Sequence, residues 1–242
     1  MIVKNGGISG KTGTFARVMA SRLGDQVYGH LIEAIATNAL PEGAKIQEED
    51  LAEQMGVSKT PIREALRRLE AEGFVVANSH RTPEVRRLDR VDVVELYSIR
   101  EYLERLAIRA TTELADPKIL SALEELQRKA EEDLASDRWA DIGQSVAYNQ
   151  KFHHLILEGA MNQRLQRTYG LIDVDIRRLA YRSIRVAGRQ REAVTQHRTI
   201  LEAIKKGQAD LAETLITQHI LTAKQDVLHE IDSSETRDAG VR

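Results

Sequence analysis

The apolar positions along this chain have helical spacing over most of its length. From Ser21 onward they recur every four residues, which predicts an amphipathic helix. The apolar face of this helix consists of Leu23, Val27, Leu31 and Ile35. The turn residues LPEG end the helix, and two short helices separated by MGVS are predicted next. Gly73 closes the last of them, and FVVANSHRTPEVRRL then predicts two short strands around a polar tip.

A second region, made of longer helices, begins near Asp92. Short breaks at Asp116-Pro117, SDRW, AMNQ, VAGR and KGQAD separate its apolar repeats. Six helices are predicted, at about 92–115, 117–135, 138–159, 162–186, 189–206 and 208–230. We therefore expect a mainly α protein with four parts. These are a flexible arm (1–20), a winged helix-turn-helix domain (21–88), an all-α six-helix bundle (92–231) and a flexible tail (232–242).

Composition narrows the classes of protein that fit this pattern. Hydrophobic residues make up 42% of the chain, which is enough for a buried core. No cysteine is present, so disulfides and thiolate metal sites are excluded and a bacterial cytoplasmic protein is expected. No apolar run approaches ~18 residues, so neither a membrane span nor a secretory signal is expected. The net charge of -2 can still hide a local basic patch.

Residues 48–67 have the features that a helix-turn-helix requires. Ala52 is small enough to let the two helices approach, and Gly56 tolerates the left-handed backbone of the turn. Ser58 is placed to cap the second helix, and Pro61 lies in its first turn, where a missing N–H costs nothing. The apolar face of the second helix consists of Ile62, Ala65, Leu66 and Leu69.

The opposite face of the second helix carries Lys and Arg residues. They share this face because they are spaced by four residues. Arginine can fork onto guanine in the major groove, and lysine and threonine can hold phosphate, so this face is expected to read DNA. The expected DNA contacts are Ser58, Lys59, Thr60, Arg63 and Arg67, with His80 and Arg81 from the tip between the strands. The alternative is an ordinary solvated basic face, which is what most charge runs are.

Three of the seven histidines lie on the apolar faces of three different predicted helices. His153, His197 and His219 each have isoleucine and leucine three and four residues away. Buried imidazoles need partners, and one divalent cation would satisfy all three. The side-chain oxygen of Asn149, one turn from His153, could serve as a fourth ligand. Separate hydrogen bonds within the core are the alternative, and spacing alone leaves both open.

Both halves of the chain resemble one known family. LAEQMGVSKTPIREALRRLEAEGFV resembles the winged helix-turn-helix of the GntR family of bacterial transcription regulators. LYSIREYLERLAIRAT, NQKFHHLIL and QHRTILEAIKKGQADLAETLITQHI resemble the FCD ligand-binding domain of its FadR-type branch. Six helices in this domain indicate the VanR-like subgroup. The resemblance implies a homodimer that binds double-stranded operator DNA, as a repressor released by a small carboxylate effector.

The resemblance also implies a metal site and an effector cavity in the second domain. The implied metal ligands are Asn149, His153, His197 and His219. The metal would be zinc, with nickel or manganese as alternatives. Family members usually have aspartate at the first of these positions, and the neutral amide would leave more of the ion's charge to attract an anion. The implied effector contacts are Arg100, Tyr97 and Arg178.

The sequence leaves other interpretations of these residues open. Arg100 could instead form an ion pair within its own helix, with Glu101 or Glu104. The metal could be purely structural in a DNA-binding protein, so that no small acid alters DNA affinity. It could also activate water in a hydrolase, but HExxH is absent and no carboxylate lies one turn from the histidines. An enzyme is therefore not expected.

Overall fold

The computed structural model describes residues 22–77, 82–136 and 142–239, and within them the chain is mainly helical. The N-terminal elements are α1 (Arg22–Ala36), α2 (Glu48–Met55), α3 (Lys59–Ala71), β1 (Val75–Val76) and β2 (Glu84–Val85). The C-terminal elements are α4 (Arg90–Leu114), α5 (Pro117–Ala135), α6 (Ile142–Gly159), α7 (Gln163–Gly170), α8 (Asp173–Ile184), α9 (Arg189–Lys205) and α10 (Ala209–Ala239). The mainly α fold class, with a winged helix-turn-helix followed by a helical domain, is confirmed.

The first domain packs α1, α3 and a small sheet around one apolar core. Gly56 has φ 63°, a left-handed conformation that favours glycine, and it turns the chain from α2 into α3. The strands β1 and β2 pair antiparallel, with Val75 opposite Val85. The core is formed mainly by Val27, Leu31, Ile35, Ile62, Leu69, Val75 and Val85. The stripe predicted for α3 therefore faces inward, which leaves its basic face outward.

The second domain is a bundle with α4 at its centre, packed against α6 and α10. A capping box starts α4, because the Asp89 carboxylate accepts from the Asp92 N–H (2.9 Å) and Asp92 accepts from the Asp89 N–H (3.0 Å). Asp116 caps α5 by accepting from the Lys118 N–H (2.7 Å). The apolar core of the bundle is continuous from α4 to α10.

The helix predicted over 162–186 is two helices. α7 ends at Gly170, and the Ile172 N–H donates to the Tyr169 carbonyl (2.9 Å) in a tight turn before α8. Buried apolar residues keep helical spacing straight through this break, so the sequence pattern hides it: Leu165, Tyr169, Ile172, Ile176 and Leu179. Seven helices follow Leu88 in the described residues, so the expected six-helix bundle is wrong in its count. The helix count thus no longer supports the VanR-like subgroup.

The helical domain is longer than expected and lies against the first domain through α8. Its last helix, α10, continues to Ala239, past residue 231, where the domain was expected to end. On α8, Arg177 donates to both carboxylate oxygens of Glu33 on α1 (2.6 and 2.9 Å), and Val174 packs on the core of the first domain. Among the described residues, no helix is both long and apolar enough to cross a membrane.

Candidate functional site

The DNA-reading face predicted for α3 is solvent-accessible in the structure. Its side chains are all exposed: Ser58, Lys59, Thr60, Arg63 and Arg67. Ser58 occupies the N-cap position with extended backbone, but its side chain makes no capping hydrogen bond, so the expected cap is wrong. Its hydroxyl therefore stays available at the helix N-terminus, where the N–H groups favour a phosphate.

Two carboxylates at the start of α2 engage the reading face. Arg63 Nε donates to Glu48 Oε2 (2.7 Å), and Lys59 pairs with Glu49. Both pairs are substantially exposed, so each stabilises the fold little. Any anion that binds Lys59 or Arg63 has to displace these carboxylates.

The neighbouring basic residue Arg68 points elsewhere. Its guanidinium lies 3.7 Å from the centre of the Tyr28 ring and donates to Glu72 (3.0 Å), so it belongs to the contact between α1 and α3. His80 and Arg81, the two contacts expected from the strand tip, lie outside the described residues.

The three predicted histidines meet in the middle of the bundle. His153, His197 and His219 come from α6, α9 and α10, and each is at most 2% exposed. His219 Nε2 lies 3.2 Å from His197 Nε2 and 3.3 Å from His153 Nε2. Each ring also has a core hydrogen-bond partner of its own, as the alternative considered from the sequence requires: Glu104 for His153, Tyr148 for His197 and Gln196 for His219.

Hydrogen bonds on the outer side of each ring assign the tautomers. Tyr148 donates its hydroxyl proton to Gln127 Oε1 (2.6 Å), so its oxygen accepts from His197 Nδ1 (3.0 Å). Gln196 donates through Nε2 to Glu192 (2.9 Å), so its Oε1 accepts from His219 Nδ1 (2.7 Å). In both rings the proton is therefore on Nδ1, which leaves the inward Nε2 with a free lone pair.

The third ring follows the same rule. His153 Nδ1 lies 2.5 Å from Glu104 Oε2, a carboxylate oxygen that can only accept. Burial lowers the pKa of all three histidines below its usual value, although Glu104 opposes this for His153. Three neutral imidazoles thus turn their Nε2 lone pairs inward, and that of His153 also accepts a hydrogen bond from Arg100.

This donor set fits a divalent transition-metal ion. Metal–nitrogen bonds of ~2.0–2.1 Å place two ligand nitrogens ~3.0–3.4 Å apart, and the observed separations of 3.2 and 3.3 Å agree. Outer hydrogen bonds that fix the ring tautomers are also what metal-binding histidines have. His153, His197 and His219 are accordingly the group able to hold an ion within the described residues.

A small cavity opens beside the histidines. It is lined by Tyr97, Arg100, Asn149, Ser183, Arg189 and His219, with Ala180 and Ile184 from α8. Its volume of about 10 Å³ is close to one water-sized sphere. The buried hydroxyl of Tyr97 has no hydrogen-bond partner among the described residues, so this cavity contains an unsatisfied donor. Asn149 lines the same cavity as His219.

A buried ion pair connects this cavity to the histidines. Arg100 Nε donates to Glu104 Oε1 (2.7 Å), and Arg100 Nη2 donates to His153 Nε2 (3.0 Å). A metal ion at the histidines would therefore have to displace Arg100 from that nitrogen. Tyr169 also donates to Glu104 (3.1 Å). Burial alone would raise the pKa of Glu104, but Arg100 and His153 outweigh it and lower the pKa to about 2. Arg100 thus lines the cavity and also forms the ion pair considered from the sequence.

Arg178 does not line the histidine cavity, so its predicted contact with an effector there is wrong. It is buried between the domains, where it donates to Asp175 (2.7 Å) and to the main-chain carbonyl of Arg86. The reason is helical phase: Ala180, Ser183 and Ile184 face the cavity, and Arg178 lies on the other side of α8.

Several residues that shape the site were not singled out from the sequence. Glu104 was considered only as a partner of Arg100, whereas it also holds His153; Tyr148, Gln196 and Arg189 were missed. Gln196 directly precedes His197 in the sequence, and this neighbourhood could have marked it as part of the site. Its side chain, however, accepts a hydrogen bond from His219. Arg189 lines the cavity and pairs with Asp226 (3.0 Å).

The fold defines a class of protein: a winged helix-turn-helix joined to an all-helical domain with a buried histidine cluster. Residues 23–85 match the model of the bacterial regulatory proteins of the gntR family, and residues 95–222 match the FCD domain. The chain belongs to the GntR family and carries an FCD domain. It is a DNA-binding transcription regulator.

Relatives along most of the chain are also regulators. The probable D-xylose utilization operon transcriptional repressor of Paenarthrobacter nicotinovorans is 31% identical, over 86% of this chain and 89% of its own length. The uncharacterized HTH-type regulator YdhC of Bacillus subtilis is 31% identical, over 81% and 85%. The solved structure of Escherichia coli McbR/YncC has the same fold, with a TM-score of 0.74 at 23% identity, covering 86% of this chain and 98% of that one.

Proposed function

We propose that the protein is a homodimeric repressor whose affinity for operator DNA is set by a small carboxylate bound beside a metal ion. The observation that carries this proposal is the meeting of three buried Nε2 lone pairs, each fixed by an outer hydrogen bond. The ion would be held by His153, His197 and His219, with Asn149 beside them, and zinc suits this donor set. The bound ion would supply a Lewis-acidic contact for a carboxylate oxygen.

Hydrogen-bond donors around the cavity suit an anion bound to the ion. Arg100 and Arg189 line it, and Tyr97 offers the unsatisfied hydroxyl. Asn149 is neutral, so a divalent ion would not be neutralised by its own ligands. A carboxylate could accept from Arg100 and Tyr97 together. Because the cavity is about 10 Å³, an effector has to displace side chains on entering, and this displacement is how its binding would alter the protein.

α8 offers a route from the cavity to the DNA-binding domain. One face of α8 lines the cavity with Ala180, Ser183 and Ile184. Its other face holds the first domain through Arg177 and Glu33. A shift of α8 on effector binding would therefore tilt α3, with a coupling of ~1–3 kcal/mol being typical.

An exposed apolar face on α4 supports the dimer. Large apolar side chains share one side of this helix and face solvent: Val91, Ile99, Tyr102 and Leu106. A second copy would bury them, and paired reading helices are what helix-turn-helix proteins use on two-fold operator sites. The relative named a transcriptional repressor supports repression rather than activation.

One experiment tests the proposal as a whole. We would measure operator binding by fluorescence anisotropy, with DNA from upstream of the gene, while titrating zinc and a panel of small carboxylates. One acid in the panel is expected to weaken operator binding in the wild type, while Arg100→Gln no longer responds. His197→Ala is expected to lose the one metal ion per chain that the wild type retains.

The rival functions predict different results. With a purely structural metal, chelation would abolish DNA binding, but no acid would alter it. A hydrolase would turn over generic esters or phosphates with added zinc. Glu104 argues against hydrolysis, because it accepts from the Nδ1 side of His153 and faces away from where a metal-bound water would lie.

A further inference from the structure

A second charged cavity lies between the two domains, on the side of α8 opposite the histidine cavity. Its volume is about 370 Å³. Arg178, Arg182 and Arg185 face it from α8, whereas Ala180 and Ser183 face the histidine cavity. At ~3.6 residues per turn these two sets lie on opposite faces of the helix. The charged residues of this interdomain cleft are Glu42, Arg87, Arg178, Arg182, Arg185 and Glu230.

Both glutamates in the cleft are already engaged. Arg182 Nε donates to Glu230 (2.7 Å). Glu42 lies between Arg178 and Arg182, with nitrogen–oxygen distances of 3.4 and 3.7 Å. Arg178 is further satisfied by Asp175 (2.7 Å). The carboxylates of the cleft are therefore matched by Arg178 and Arg182 alone.

The other two arginines of the cleft have no such partner. In the parts of the chain that the structure describes, neither Arg87 nor Arg185 forms an ion pair or a side-chain hydrogen bond. Arg87 belongs to the first domain, just after β2, and Arg185 ends α8 in the second. Two uncompensated guanidinium groups thus line the same cavity from opposite domains. Nothing in the DNA-reading face or the histidine centre uses either of them.

We propose that this cleft binds a small phosphate-bearing dianion, either inorganic phosphate or a phosphomonoester. Four arginines face two glutamates in the cleft, and Asp175 also pairs with Arg178, so the cleft keeps an excess of positive charge that favours an anion. The guanidinium groups approach from different walls, and the tetrahedral oxygens of a phosphate can accept from more directions than the two oxygens of a planar carboxylate. A ligand contacting Arg87 and Arg185 together ties the first domain to the bundle. It stabilises this domain arrangement from the side of α8 opposite the histidine cavity.

Isothermal titration calorimetry of the full-length protein tests the proposal, with inorganic phosphate as the probe in Hepes buffer at low ionic strength. The wild type is expected to bind one phosphate per chain, saturably. Arg87→Gln/Arg185→Gln should weaken this binding at least about tenfold, and Arg185→Gln alone should weaken it measurably. Arg164→Gln is the matched control, because Arg164 is also exposed and unpaired among the described residues but lies on α7, away from the cleft. It should bind phosphate as the wild type does.

Three results would overturn the proposal. The first is no saturable phosphate binding to the wild type. The second is equal binding by the wild type and the double variant, which would assign phosphate to another site, such as a metal ion. The third comes from operator binding in phosphate-free buffer: if the double variant loses operator affinity while its phosphate binding is unchanged, the cleft contacts DNA instead. Both arginines are unpaired, so the variants are expected to fold, and circular dichroism checks this.

Discussion

Replacing Glu104 by glutamine gives the sharpest test of the buried network in the bundle. Glu104 is fully buried, and it accepts from Arg100, His153 and Tyr169. Glu104→Gln leaves the Arg100 guanidinium buried without a counter-charge. Breaking a buried pair from one side costs about 3–5 kcal/mol. The pKa of Glu104 is lowered from 4.5 to about 2, so the folded protein favours the charged carboxylate that Arg100 requires.

The assay is urea denaturation followed by circular dichroism, with chelator present so that bound metal adds no stability. We expect Glu104→Gln to lose about 3–5 kcal/mol at neutral pH. Because the pKa of Glu104 is lowered on folding, its contribution is complete above the unfolded pKa and is lost as pH falls through the folded one. The difference between wild type and variant should therefore shrink as pH falls from 4.5 towards about 2.

Two controls make this prediction strict. Glu125→Gln removes an exposed partner of Arg128 and should leave the denaturation midpoint unchanged. Arg100→Gln/Glu104→Gln should cost less than the sum of the two single variants, because the double variant leaves no buried charge unpaired. A loss below ~1 kcal/mol for Glu104→Gln, or a loss that does not vary with pH, would refute the buried ion pair.

Three further predictions concern metal and DNA. Asn149→Asp should tighten zinc binding about tenfold by adding a charged oxygen ligand, measured against a competing chelator; an unchanged affinity would remove Asn149 from the ligand set. Arg63→Gln should weaken operator binding by about 1–3 kcal/mol in anisotropy titrations, whereas Arg68→Gln, off the reading face, should not. Burial lowers the pKa of the three histidines, so zinc affinity should be constant between about pH 8 and 7 and fall only at more acidic pH. Calorimetry checks this. A decline in zinc affinity between about pH 8 and 7 would contradict neutral rings.

The helix-turn-helix could be predicted in detail because its signals are local. Ala52, Gly56 and Pro61 each act within a few residues of their own position, and the apolar and basic faces of α3 follow from one helical period. The break between α7 and α8 could not be predicted in this way. Leu165 to Leu179 keep helical spacing across it, because both helices bury the same side against the core.

The histidine centre could be predicted only in part. Each histidine was placed inward by its own apolar neighbours, but the groups that fix the rings come from distant parts of the chain. Glu104 is 49 residues from His153, and Tyr148 is 49 residues from His197. The prediction that Arg178 contacts an effector failed for a related reason. Because the start of α8 was not predicted, the sequence did not show which side of that helix faces the cavity.

The carboxylates of Glu48 and Glu49 have a consequence for target search. They neutralise part of the charge that α3 presents, and in the proposed reading mode a duplex would have to compete with them for Arg63 and Lys59. DNA of random sequence would replace the glutamates mainly with phosphate contacts, whereas the operator would also provide hydrogen bonds to base edges. Displacing the two glutamates costs the same free energy on any DNA. Complexes with random DNA would therefore dissociate sooner, and only the operator would hold the protein for long.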